Sequence, residues 1–150
     1  MASAIYKLRD ATWDDIELLF GITFAVNQRK DKDREIEYLN FVVGYEPEMI
    51  QVIQYEGKDI GQLRAYESRN RVYIGRIQIR PEYQGLGIGS TVISDFIAQG
   101  RRAGLPTELE VHVHNSCALR LYQRLGFSIV GWGKYSNGRS TGYFWKMRCS

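Results

Sequence analysis

Arg80-Pro81-Glu82-Tyr83-Gln84-Gly85-Leu86-Gly87-Ile88-Gly89-Ser90 is the stretch on which the reading of this chain turns. Upstream of it lies an apolar, strand-like run, Val72 to Ile79. Downstream lies a helical pattern with Val92, Ile93, Phe96 and Ile97 on one face. Glycines at three alternate positions let the backbone turn tightly and expose its amides without side-chain interference. A helix that starts there aims its unpaired N–H groups and positive dipole end into the same turn. The stretch therefore reads as a seat for a phosphate or pyrophosphate, and hence for a phosphorylated cofactor.

Three kinds of glycine turn compete for it. A P-loop needs Lys before its Ser or Thr, whereas Gly89 is followed directly by Ser90-Thr91. A dinucleotide fingerprint needs a third glycine where Ser90 stands, with an acidic partner about 20 residues on. Glu108 or Glu110 would supply that partner. Against it, a polar run containing Pro81 separates strand from glycines, and too little chain follows for a second mononucleotide half. A nicotinamide-dependent oxidoreductase is thus the weaker alternative.

The third kind fits best. Gln84-x-x-Gly87-x-Gly89, between strand and helix, resembles the pyrophosphate loop of the GNAT superfamily of N-acetyltransferases. The preceding Ile79-Arg80-Pro81-Glu82-Tyr83-Gln84-Gly85 looks like the same family. So does Asn115-Ser116-Cys117-Ala118-Leu119-Arg120-Leu121-Tyr122-Gln123-Arg124-Leu125-Gly126-Phe127, which resembles its second cofactor motif, an Asn opening a helix that ends in Tyr-x-x-x-Gly-Phe. The resemblance is firm over residues 71–130. The amino-terminal half matches in its pattern of elements.

That pattern runs as follows. Ile5 to Arg9 alternates as a strand, and Thr12 caps a helix whose face is Ile16, Leu19, Phe20, Thr23 and Phe24. A second helix is expected from about Asp33 to Val43, with Ile36, Leu39, Asn40 and Val43 on one side and Gly44 at its end. Glu48 to Tyr55 and Ile60 to Tyr66 read as a hairpin around Glu56-Gly57-Lys58-Asp59. After the strand Val72 to Ile79 comes a helix from about Gly87 to Arg102, stopped by Gly104 and Pro106. Then follow a strand Glu108 to His114, a helix Cys117 to Leu125, and strands Phe127 to Gly133 and Tyr143 to Met147 around a turn at Ser136-Asn137-Gly138-Arg139. The order β-α-α-β-β-β-α-β-α-β-β is what the resemblance implies: an α/β (α+β) fold with a mixed, mostly antiparallel sheet flanked by helices.

Bulk properties narrow the class. A chain of 150 residues is expected to be one domain, 1–150. A hydrophobic share of 44% and a charged share of 25% suit a soluble globular protein. The net charge of +3 is dispersed, and the run Arg29 to Glu35 alternates in sign as a solvated helix start does. Nucleic-acid binding is therefore not expected. Two cysteines, Cys117 and Cys149, suggest neither a disulfide framework nor a metal site. His112-x-His114 offers two ligands on one strand face but no evident third, so no metal is expected. No leader pattern and no long apolar run appear, which predicts a cytoplasmic protein without a membrane span. If the chain self-associates, a homodimer is the expected form.

The resemblance implies an enzyme that moves an acetyl group from acetyl-CoA to a primary amine, a small molecule or a peptide amino terminus, by direct transfer. Carried over by motif position, Gln84, Gly85, Leu86, Gly87, Ile88, Gly89 and Ser90 hold the pyrophosphate. The backbone of Ile77 and Ile79 receives the pantetheine arm and thioester. Asn115 binds the cofactor or caps its helix, and Tyr122 protonates the departing thiolate. A phenol near pKa 10 is protonated at neutral pH and suited to that task. For the base, the strand before the glycines holds no carboxylate. Relatives that acetylate protein amino termini can carry one where Glu110 stands. Strand alternation sets Glu108, Glu110, His112 and His114 on one face, with Leu109, Val111 and Val113 on the other. Glu110 is the first choice, His112 follows, and a water chain is the third route. A non-catalytic module that senses acyl-CoA is the competing class.

Overall fold

The computed structural model describes residues 5–27, 34–136 and 141–150. The expected turn at Asn137-Gly138-Arg139 and the stretch from Arg29 to Asp33 lie outside the described residues. Seven strands form one sheet: β1 (Lys7–Asp10), β2 (Gln51–Tyr55), β3 (Lys58–Glu67), β4 (Val72–Ile79), β5 (Thr107–His112), β6 (Ser128–Ser136) and β7 (Thr141–Cys149). Their order is β1-β2-β3-β4-β5-β7-β6. Pairing is antiparallel at β1/β2, β2/β3, β5/β7 and β6/β7, and parallel at β4/β5. Among the described residues four α-helices accompany it: α1 (Ile16–Asn27), α2 (Arg34–Val43), α3 (Ile88–Arg102) and α4 (Ser116–Arg124). This is the expected mixed, mostly antiparallel fold in the expected order. No helix among the described residues is long and apolar enough to cross a membrane.

The chain gathers into two compact units, Met1–Ala65 with Arg76–Thr91 and Tyr66–Gly75 with Val92–Ser150. In the first, Thr12 caps a 3-10 turn, Trp13–Asp15, and Asp15 returns the bond to the Thr12 amide, a capping box that launches α1. Leu19 and Ile22 of α1 are buried with Ala11, Tyr45, Ile50 and Val52. The expected apolar face of α2 is the main departure: Ile36, Leu39 and Val43 are 51, 58 and 88% exposed. The opposite side makes the contact instead, with the Tyr38 and Phe41 rings 5.1 and 5.6 Å from that of Phe20. Large rings bury more area per residue than the aliphatic stripe does. The strand expected from Glu48 also starts later. Pro47 opens a 3-10 turn over Pro47–Met49, because its fixed φ suits the first position of such a turn.

In the second unit Val72, Ile74, Val92, Ile93, Ile97, Leu109, Val111, Phe127 and Met147 are buried. The parallel pairing of β4 with β5 covers only Val72 to Ile74 against Thr107 to Leu109. The rest of β5, Glu110 to His112, is paired to β7 through Lys146, Trp145 and Phe144.

Candidate functional site

The glycine turn belongs to the first unit. Gly85 and Gly87 have φ of +79° and +82°, a conformation costly for any residue with a Cβ, so the turn depends on glycine at both. A Cβ built on Gly85, Gly87 or Gly89 would meet nothing within 4 Å. That leaves an open cradle at the start of α3. Gly87 stands in the cap position, its carbonyl accepting from the Thr91 amide (3.0 Å) and the Thr91 hydroxyl (2.8 Å). With no side chain at the cap, no backbone carbonyl among the described residues accepts from the amides of Ile88, Gly89 and Ser90. The Ile88 side chain is buried and anchors the helix, so only its backbone is available. At the root of the turn, Arg80 Nε is the one buried side-chain polar atom without a partner among the described residues. Unfilled amides, an open cradle and an orphaned guanidinium N–H together fit an anionic pyrophosphate.

Two features hold this turn to β4. Gln84 Nε2 donates to the Ile79 carbonyl at 2.9 Å, so the motif glutamine fastens the turn to the end of the strand. Gly61 on β3 admits β4 closely: a Cβ there would come 2.4 Å from the Gln78 carbonyl oxygen. The register shift of β2 against β3 falls at the same place, where Ile53 faces Gly61 and Gln54 faces Asp59. Behind Ile77 and Ile79 runs a polar network that the sequence did not suggest. Buried Gln62 donates to Thr23 Oγ1 (2.8 Å) and Gln78 Oε1 (2.6 Å), and Thr23 donates to Gln78 Oε1 (3.0 Å). It joins α1, β3 and β4 and fixes the Gln78 amide in one orientation.

The second unit holds the other candidates. Asn115 caps α4, its Oδ1 accepting from the Ala118 amide at 3.2 Å. Tyr122 is half-buried, with its ring edge-on to Phe127 at 5.9 Å. Burial pushes its phenol above the ordinary value. On β5 the polar face differs from expectation. Glu110 and His112 are exposed and Glu108 half-buried, while His114 lies beyond the strand's end. The His112 ring stacks edge-on against Tyr135 at 4.9 Å. Glu110 lines a cavity of about 450 Å³ together with Arg71, Tyr73, Glu108, Lys146 and Arg148. Burial and then the nearby Glu110 carboxylate push the Tyr73 phenol up.

The pattern of the acetyltransferase (GNAT) family matches residues 5–127. This chain belongs to the GNAT acetyltransferase family. It is similar to an uncharacterized N-acetyltransferase of Methanocaldococcus jannaschii, 26% identical over an alignment 145 positions long that covers 85% of this chain and 64% of the relative. The chain thus spans a little under two thirds of that relative's length. Among solved structures it is similar to the ribosomal-protein-S18-alanine N-acetyltransferase of Escherichia coli, with 17% identity, a TM-score of 0.70, and 97% and 93% of the two chains covered. It is similar also to the PaiA N-acetyltransferase of Thermoplasma acidophilum in complex with coenzyme A, again 17% identical, with a TM-score of 0.68 and 97% and 99% covered. These likenesses carry the GNAT fold.

For a GNAT chain, the glycine turn and the helix of Asn115 and Tyr122 are where the sequence motifs put them. Missed from sequence were Arg71, Tyr73, Lys146 and Arg148 around Glu110, and the Thr23–Gln62–Gln78 network. Only the register of β7 against β5, with Lys146 opposite Glu110 and Arg148 opposite Glu108, brings the last two into view.

Proposed function

We propose that this chain is an N-acetyltransferase that moves the acetyl group of acetyl-CoA directly to a primary amine. The observation that carries the reading is the open, amide-lined glycine turn at the start of α3 in a chain of the GNAT family. Acetyl-CoA supplies an acyl carbon activated by its thioester sulfur. The amides of Gly85 to Ser90 bind its pyrophosphate, and the backbone at Ile77 to Ile79 orients the pantetheine arm. Glu110 accepts a proton from the acceptor ammonium, leaving a lone pair free to attack the acyl carbon. A C–N bond forms and the C–S bond breaks. The attacking nitrogen sheds its second proton to solvent as the amide forms, and Tyr122 donates its phenolic proton to the departing sulfur and recovers one from solvent. Asn115 acts by fixing the start of α4, and so the place of Tyr122 about two turns further on.

Thermal unfolding tests the cofactor. Acetyl-CoA at about 100 times its dissociation constant adds about 2.7 kcal/mol, a rise of roughly 5–10 °C for a chain of this size. NAD, NADPH and ATP should give no comparable rise. A larger shift with a nicotinamide cofactor would overturn the reading. Thiol release that depends on an added amine then distinguishes transfer from mere sensing.

A further inference from the structure

The cavity beside Glu110 carries more positive charge than proton transfer requires. Arg71 Nη1 lies 3.3 Å from Glu108 Oε1, and Arg148 Nη2 lies 3.1 Å from Glu108 Oε2. Arg71 Nη2 donates to the Tyr66 hydroxyl at 3.0 Å, and its guanidinium lies 4.5 Å over the Tyr73 ring. Two guanidiniums therefore share a single carboxylate. Each has five N–H donors, and most of them reach no acceptor in the described residues. Lys146 stands directly opposite Glu110 in the β5/β7 register. Yet Lys146 forms no ion pair with any of the described residues. The wall thus holds Arg71, Lys146 and Arg148 against Glu108 and Glu110, an excess of one positive charge, with directional donors unfilled.

We infer that this wall binds a carboxylate carried by the acceptor itself, so that the acceptor is an amine with a carboxylate close by. A free acidic amino acid and a peptide amino terminus with an acidic residue near its start share that chemistry. The inference rests on Glu110 taking the amine proton as proposed above. An ammonium is drawn to the one carboxylate of the cavity not held by arginine, while the acceptor's own anion fills the guanidinium and ammonium donors beside it. Charge-assisted, forked contacts of this kind set orientation as well as affinity. They place the amine at Glu110 rather than merely near the protein.

The test is acetyl-CoA-dependent thiol release by the full chain with matched acceptors. Aspartate and glutamate are each compared with their diamides, which keep the amine and carry no carboxylate, and short peptides beginning in acidic residues with their amide and lysine counterparts. The expected result is a kcat/KM at least about tenfold higher for the carboxylate member, weakening as salt is raised. The free and peptide arms tell which source the site uses. Lys146→Glu should lower kcat/KM about tenfold more for the carboxylate member than for its amide. Comparable rates for both members, or transfer only to amines without a carboxylate, would overturn the inference and leave the acetyltransferase reading standing. Transfer to no amine at all would overturn both. The wild-type comparison needs no variant to fold.

Discussion

Two charged knots in this molecule are mirror images of each other. In the first unit one cation, Arg9, sits between two carboxylates, Asp15 at 2.8 Å and Asp59 at 3.0 Å. In the second, one carboxylate, Glu108, sits between two cations, Arg71 and Arg148. The difference lies in how fully they are satisfied. Asp15 also accepts from the Thr12 amide (2.8 Å), and Asp59 from Gln54 Nε2 (2.8 Å), so every nitrogen of the Arg9 guanidinium has an acceptor and each carboxylate a second donor. The Glu108 knot leaves guanidinium donors open to a cavity that Glu110 lines. A closed knot is scaffold, and an open one is a surface on which chemistry can act.

The largest effect is expected beside the open knot. Glu110→Gln keeps the shape and deletes the base, so kcat should fall about 10³-fold. Because Glu110 is exposed, Tm should stay within about 2 °C of wild type. Steady-state rates and a melting curve on the same preparation check both. A variant that melts early at an undiminished rate would make Glu110 scaffold as well, and the contrast would be gone.

Next in size is Tyr122→Phe. A thiolate is already a fair leaving group, since thiols are far stronger acids than alcohols, so losing the acid costs less than losing the base: about 100-fold in kcat. KM for acetyl-CoA should change little. Burial raises the Tyr122 pKa, so its proton is present throughout the range below about 10 and is lost only as pH rises through the raised value. The kcat profile should therefore show no descending limb from this group below about pH 10. A limb near pH 8 to 9 that Tyr122→Phe abolishes would contradict the assignment.

What was legible in the sequence follows the same division between local and distant causes. The glycine turn could be read because φ beyond +70° at Gly85 and Gly87 is a demand each residue meets alone. The alternation of Glu108, Leu109, Glu110 and Val111 is equally local. The partners of Glu108 stand 37 and 40 residues away in sequence, and no pattern within β5 points to them. The α2 stripe shows the same limit from the other side. Its spacing marks Ile36, Leu39 and Val43 as one face, but which face is covered depends on Phe20 of α1 meeting Tyr38 and Phe41. At Pro47 the signal was local and available, a proline opening a 3-10 turn, and the apolar run after it outweighed it.

At the closed knot the expected effect is on stability. Arg9 holds Asp15 and Asp59 below the ordinary carboxylate range, first by its hydrogen bonds to each. A folded-state pKa below the unfolded one stabilises above the unfolded value, near 4, and that stability is lost as pH falls through the folded value. Arg9→Met should cost about 1–2 kcal/mol at neutral pH, or roughly 3–6 °C in Tm. It should also change the acid side. Wild type loses stability below about pH 4, whereas the variant, with two carboxylates left facing each other, gains as they take up protons. Melting curves from pH 7 to 3 check the sign. Parallel losses in both proteins would mean that the knot contributes nothing to the fold.

The smallest effect belongs to Glu108→Gln, and it sharpens the comparison most. The amide keeps one acceptor oxygen for Arg71 or Arg148 but removes the charge that draws them together. Both guanidiniums are well exposed, 37 and 48%, so water screens the loss and the cost should be about 0.5–1 kcal/mol, or roughly 1–4 °C. If Tm falls as far as in Arg9→Met, the two knots are equivalent and openness to the cavity means nothing. The site should respond in the opposite sense to the fold. Without the Glu108 charge the wall is more positive, so kcat/KM for a carboxylate-bearing acceptor should rise relative to that for its amide. A small loss in stability together with that rise is what an open knot predicts, because the same carboxylate that steadies the two arginines also offsets the field they present to an anionic acceptor.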